Sequence, residues 1–124
     1  MRTFDVEAVI DAPADEAWSL LTDTERWTEW GPSVRAVVSS TRAVTTGTHG
    51  RVRTAFGIWL PFRVDHFVAG RSWSWRIAGL PATGHRVEPL GLHRCRVVFE
   101  VPLIAAAYAV VCRRALGRIE RLLS

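Results

Sequence analysis

The chain has no lysine, no asparagine and no glutamine, and all 16 of its basic residues are arginine. A Schiff-base lysine, a P-loop lysine and an oxyanion hole built on a side-chain amide are therefore excluded. Cysteine is scarce as well. Cys95 and Cys112 show no CxxC or CxxH spacing, so neither a disulfide framework nor a structural zinc site is indicated, and a reducing, cytoplasmic setting is expected. The four scattered histidines add no ligand spacing, so no metal or cofactor is implied. The longest mostly apolar run, 101–112, falls short of the ~20 residues of a membrane-spanning helix. The opening Met1-Arg2-Thr3-Phe4-Asp5 is not of signal-peptide type. No run of five like charges occurs, which leaves out a polybasic arm.

What is present suits one domain spanning residues 1–124. Apolar residues make up 48% and charged residues 23%, enough for a buried core and a solvated surface. The net charge of +4 and the pI near 10.4 reflect arginine in place of lysine more than a dense basic patch.

Hydrophobic periodicity places the elements. Phe4, Val6, Ala8 and Ile10 alternate with Thr3, Asp5 and Glu7, the period of a half-buried strand. Pro13 then suits a helix start, with Asp15 and Glu16 at the positive end of its dipole and Ala17, Trp18, Leu20 and Leu21 as its buried side. A second short helix is expected from Thr24, its cap, to Trp30, ended by Gly31-Pro32. Strands are expected at Val34–Ser39, His49–Phe56, Leu60–Val68, Ser72–Ala78, Thr83–Glu88 and His93–Val101, divided by short turns and so antiparallel. The period changes at Pro102. A helix is expected over Pro102–Leu123, with Ile104, Ala107, Tyr108, Val111, Ala115, Ile119 and Leu122 on one face. The class is α+β: strand, two short helices, six-stranded antiparallel meander, and a long C-terminal helix packed in a curved sheet.

Several local phrases carry a resemblance. Val6-Glu7-Ala8-Val9-Ile10-Asp11-Ala12-Pro13 leading to Trp18, Trp27-Thr28-Glu29-Trp30, Gly47-Thr48-His49-Gly50, Trp73-Ser74-Trp75-Arg76 and Gly84-His85-Arg86 together resemble the START-like (SRPBCC) superfamily. The nearest likeness is to its bacterial polyketide cyclase/dehydratase-type branch. The resemblance covers nearly the whole chain and implies a helix-grip fold with a cavity between sheet and helix. It does not name a reaction, because that superfamily includes carriers, receptors, cyclases, hydrolases and chaperone activators. The chain is short for the family, which implies trimmed loops. Tyr108 is its only tyrosine, so members that place strand tyrosines in the pocket are poorly matched.

Strand parity predicts the concave face. It gathers Val52, Thr54 and Phe56; Phe62, Val64, His66 and Val68; Trp73, Trp75 and Ile77; Thr83, His85 and Val87; and Cys95, Val97 and Phe99. Arg51, Arg53, Arg63, Arg76, Arg86, Arg94 and Arg96 fall on the other face with Asp5, Glu7, Asp65, Glu88 and Glu100. Mixed signs, and a lone aromatic (Phe67) on that face, fit cross-strand ion pairs and not nucleic-acid binding. Expected register pairs Val64 with Trp75, His66 with Trp73, and Trp75 with His85. It sets the two histidines about 11–12 Å apart, too far for a direct relay or a shared metal.

The candidate ligand-binding residues are Trp30, Phe56, Phe62, His66, Trp73, Trp75, His85, Val87, Val97 and Tyr108, with His85 the catalytic candidate. Each histidine has a second reading as a buried ring satisfied by threonine or backbone. Cys95 and Cys112 read as small core thiols, Trp27 and Trp30 as either a lid or helix packing, and Glu25 and Glu29 as acids near the cavity mouth. The expected partner is a hydrophobic small molecule, lipid- or polyketide-like, with a homodimer left open. The alternative is a cyclase/dehydratase-type enzyme using His85 as general acid/base.

Overall fold

The computed structural model describes residues 2–123. The chain opens with strand β1, Thr3–Ile10, and turns at Pro13 into helix α1, Ala14–Thr22. A single 3-10 turn, Thr24–Arg26, leads to the short helix α2, Trp27–Trp30. Asp23 caps this pair by accepting from the Glu25 amide. Thr24, the expected cap, instead donates its hydroxyl to the Arg42 carbonyl at 2.9 Å. The carbonyls of Leu20 and Leu21, in the last turn of α1, accept the indole N–H of Trp30 at 3.1 Å and of Trp27 at 2.9 Å. The two tryptophans thus satisfy helix-end acceptors that would otherwise be orphaned and bind α2 onto α1.

Six further strands follow: β2 Val34–Ser39, β3 His49–Thr54, β4 Trp59–Val68, β5 Ser72–Ile77, β6 Leu80–Pro89 and β7 Cys95–Pro102. With β1 they form one seven-stranded antiparallel sheet, ordered β1-β7-β6-β5-β4-β3-β2. The β5–β6 connection is tighter than expected. Ile77 pairs with Leu80, and Ala78 and Gly79 both hold positive φ, the mark of a two-residue hairpin turn. In the Gly47–Gly50 phrase, a Cβ on Gly50 would overlap the Val38 carbonyl oxygen, so the closeness of β2 and β3 demands glycine there.

Two register shifts limit the parity argument: Trp73, Trp75, Thr83, His85 and Val87 are buried as it predicts, but β4 changes face past Val64 and one expected pairing moves. Val64 pairs with Trp75 as expected, but the next pairs are His66 with Ser74 and Phe67 with Trp73. The extra residue on β4 is a bulge. It turns His66 outward into solvent and Phe67 inward, 5.9 Å from the Trp18 ring. A second shift, between Ser74 and Arg76, gives β6 an extra residue and pairs Trp73, not Trp75, with His85.

The C-terminal helix is also later than its pattern suggested. Leu103–Tyr108 is 3-10 in character, broken by a non-helical Ala105, and regular helix α3 runs Ala109–Leu123. The tighter turn shifts the helical phase. Ile104 is therefore exposed, as is Leu122, and the buried face is Ala109, Cys112, Ala115, Leu116 and Ile119. This face packs against β1, α1, α2 and β7, completing the helix-grip architecture.

On the outer face the arginines meet acids across strands. Arg86 reaches Asp5, Glu88 and Glu100 at 3.1, 2.9 and 2.6 Å, and Arg96 reaches Glu88 at 3.0 Å. Arg76 pairs with Asp65 at 3.3 Å. Exposed pairs of this kind contribute about 0–1 kcal/mol each and serve to place the charges.

Candidate functional site: an apolar bowl beside a narrow aromatic chamber

Aromatic side chains fill most of the grip. Trp27 is stacked on Trp73 with centroids 5.3 Å apart and meets Phe62 and Trp75 edge-on. Trp73 stacks on the His85 ring at 4.0 Å. What remains beside His85 is a chamber of about 30 Å³, room for one or two waters. Trp30, Phe99, Tyr108, Val111 and Cys112 contribute to its wall.

His85 is 2% exposed, and its hydrogen bonds fix its state. Its Nδ1 lies 3.3 Å from the Trp73 carbonyl, which can only accept, so Nδ1 carries the proton. Its Nε2 lies 2.9 Å from Thr83 Oγ1. That oxygen already accepts the Trp75 indole N–H at 3.1 Å, leaving its own hydrogen for Nε2. With the imidazole neutral, the chain Trp75→Thr83→His85→Trp73 runs in one direction, and burial favours that neutral state. Burial lowers the His85 pKa from 6.5 to about 3, with the Trp73 hydrogen bond opposing. Neither ring nitrogen is free, and among the described residues no carboxylate lines the chamber.

A pH effect follows. The unfolded imidazole takes a proton near 6.5, the native one only near 3. Between these values the unfolded chain holds the extra proton, so native stability falls as pH falls, by up to about 1.4 kcal/mol per pH unit. Urea unfolding of the wild type and His85→Leu should show a shallower decline in the variant across this window. Equal slopes would contradict the neutral assignment.

The larger space lies at the open end of the grip. A bowl of about 470 Å³ is lined by Val52, Leu60, Ile77, Ala82, Ala105 and others, with hydroxyls from Ser33, Thr54, Thr83 and Tyr108 as its polar side-chain groups. Its volume suits a small organic molecule. Ser33, Val34, Trp75, Thr83 and Tyr108 border both spaces. The Ser33 and Tyr108 hydroxyls hydrogen-bond to each other across this partition. Burial pushes the Tyr108 phenol pKa up, the Ser33 bond opposing.

The predicted residues thus divide. Trp75 and Tyr108 border both spaces, Trp30 and His85 the chamber, and Phe56 the bowl. Phe56 sits past the end of β3, in the β3–β4 turn, 90% exposed. Phe62, Trp73, Val87 and Val97 are buried core and border neither space. His66 is on the solvent side. Trp27 belongs to the packing and also borders the chamber, and Val34, Ala82 and Ala105 are bowl residues that strand parity and helix period did not single out. Glu25 pairs with Arg42, and Glu29 with Arg26, away from both spaces. Cys95 and Cys112 are both buried, and burial raises the Cys112 thiol to about 11, which removes an activated thiolate. Among the described residues no group of three or more His, Cys, Asp or Glu is placed to hold a metal. No described helix is long and apolar enough to cross a membrane.

A curved antiparallel sheet wrapped on a C-terminal helix, open at one end, defines the START-like class. Within it, the chain belongs to the polyketide cyclase / dehydrase and lipid transport family, whose model matches residues 1–124. Solved structures share the fold. The protein XoxI of Bacillus cereus superposes with a TM-score of 0.77 at 13% identity, over 99% of this chain and 96% of that one. The di-domain ARO/CYC protein BexL gives 0.72 at 19% identity, over 98% of this chain and 46% of that one. The Aha1 dimer from Colwellia psychrerythraea gives 0.72 at 16% identity, over 99% and 96%. A search of curated protein sequences finds no match.

Proposed function

We propose that the chain binds a neutral, hydrophobic small molecule, lipid- or polyketide-like, in the bowl between the sheet and the Leu103–Tyr108 segment. The observation that carries this reading is the bowl's lining: apolar walls with hydroxyls and no charged side chain. Such a site desolvates an apolar ligand at little cost, yet offers hydrogen bonds to one or two carbonyl or hydroxyl groups. A carboxylate or phosphate carried into it would find no cation among the lining residues. Membership of a polyketide cyclase / dehydrase and lipid transport family supports the same ligand class. Binding is the favoured reading over proton-transfer catalysis, because His85 is neutral and both its nitrogens are engaged.

Titration with a neutral apolar dye such as Nile red tests this. Ala82→Trp, which fills the bowl from an open wall, and Trp75→Ala, which removes its inner boundary, should each weaken binding about tenfold or more, ~1.4 kcal/mol. Melting curves recorded beside each titration separate lost binding from lost folding. Unchanged affinity in both folded variants would remove the bowl as the site.

A further inference from the structure

The mouth of the bowl carries apolar side chains that point away from it as well as into it. Phe56 is 90% exposed, Ile104 84%, Leu80 65% and Ile58 58%. They come from three separate elements: the β3–β4 turn, the start of β6 beside the β5–β6 turn, and the 3-10 segment before α3. Antiparallel pairing brings all three to one end of the sheet, where β1 and β6 begin and β7 ends. Four large apolar side chains at separate tips of one end are more than the scattered exposure normal for a surface.

The charge at this end has one sign. The segments 2–4, 31–36, 52–62, 77–83 and 101–111 contain no Asp or Glu, and they include Arg2, Arg35 and Arg53. The Arg2 carbonyl accepts from the Leu103 amide, placing that residue beside the 3-10 segment. The Arg53 guanidinium lies next to Gly57, between Phe56 and Ile58. Among the described residues none of these three arginines has a carboxylate within ion-pair distance, a condition shared with Arg51, Arg63 and Arg71 elsewhere on the sheet; what sets this end apart is that its segments hold no acid.

We propose that the open end of the grip docks on an anionic phospholipid bilayer, with Phe56, Ile58, Leu80 and Ile104 entering the interface and Arg2, Arg35 and Arg53 meeting the lipid phosphates. Apolar tips ringed by unpaired cations suit a surface that is apolar beneath and negative above. Long arginine side chains reach phosphates while their stems stay among apolar atoms. Docked this way, the bowl opens directly onto the lipid.

Vesicle co-sedimentation, with no cavity ligand added, tests the surface independently of what the bowl binds. Wild-type protein should sediment with vesicles containing phosphatidylglycerol, far less with phosphatidylcholine alone, and progressively less as salt rises. Ile104→Asp and Leu80→Asp, neither of which lines the bowl, and Arg53→Glu should each reduce the vesicle-bound partition about tenfold. Melting curves and Nile red affinity should stay unchanged for the first two. Failure to sediment with phosphatidylglycerol vesicles at low salt, equal binding to both vesicle types, or binding indifferent to both aspartate variants would overturn the proposal. So would a wild-type dimer that Ile104→Asp converts to monomer, since a second copy would then cover this face.

Discussion

Trp27→Ala is expected to cost about 3–5 kcal/mol in lost packing alone, a large part of the ~5–15 kcal/mol that a domain of this size has. The side chain is 1% exposed and touches the Trp73, Trp75 and Phe62 rings at 5.2–5.3 Å between centroids. No neighbour can collapse into the space without leaving the cluster. Its indole N–H also holds the Leu21 carbonyl, and leaving that acceptor unpaired adds about 1–3 kcal/mol where water cannot enter. Trp27→Phe keeps most of the ring contact and should cost distinctly less. Urea unfolding of the three proteins reads both differences. A loss below about 2 kcal/mol for Trp27→Ala would mean that the aromatic cluster is not the centre of the core.

Removing everything after Pro102 should abolish cooperative unfolding altogether. The helix covers the inner ends of β1 and β7 with Cys112, Ala115, Leu116 and Ile119, and those strands contribute Val6, Ile10, Val97, Phe99 and Val101 to the same core. A sheet stripped of its cover exposes an apolar face too large for a lone layer to carry. Truncated chains aggregate readily, so Ile119→Asp supplies the second arm. It places a carboxylate at a fully buried position, a cost of several kcal/mol. Calorimetry should find no sharp transition in the truncated chain and a greatly lowered one in Ile119→Asp. A truncated chain that still melts sharply would overturn the helix-grip packing.

Part of the candidate site was legible because burial leaves a residue pattern. The sequence groups Trp73, Trp75, His85 and Tyr108 around one cavity; Trp75, His85 and Tyr108 border the chamber, whereas Trp73 is buried core that borders neither space. The tautomer of His85 was not legible. It depends on Thr83 lying between Trp75 and the imidazole, and on Trp73 presenting its carbonyl from the paired strand. The bowl itself owes its position to the irregular 3-10 segment. That segment sets Ala105 and Tyr108 on the same bowl as the turn carrying Phe56, a placement the helical period could not register.

By itself the sequence determined the α+β order, the approximate strand positions, the mixed-charge outer face and the helix that closes the grip. These follow from alternation and 3.6-residue periodicity, which are local properties of a chain with one face wet and one dry. Tertiary structure alone decided which face each residue presents after a bulge. One extra residue in the β4 ladder sends His66 to solvent and Phe67 inward, and one in β6 pairs His85 with Trp73. A bulge costs little locally and is selected by the packing of the whole sheet, so it leaves no mark in the alternation before it. The same holds for the partition between chamber and bowl. It is made by Ser33 and Tyr108, 75 residues apart in the chain, and only the curvature of the sheet around the helix brings their hydroxyls together.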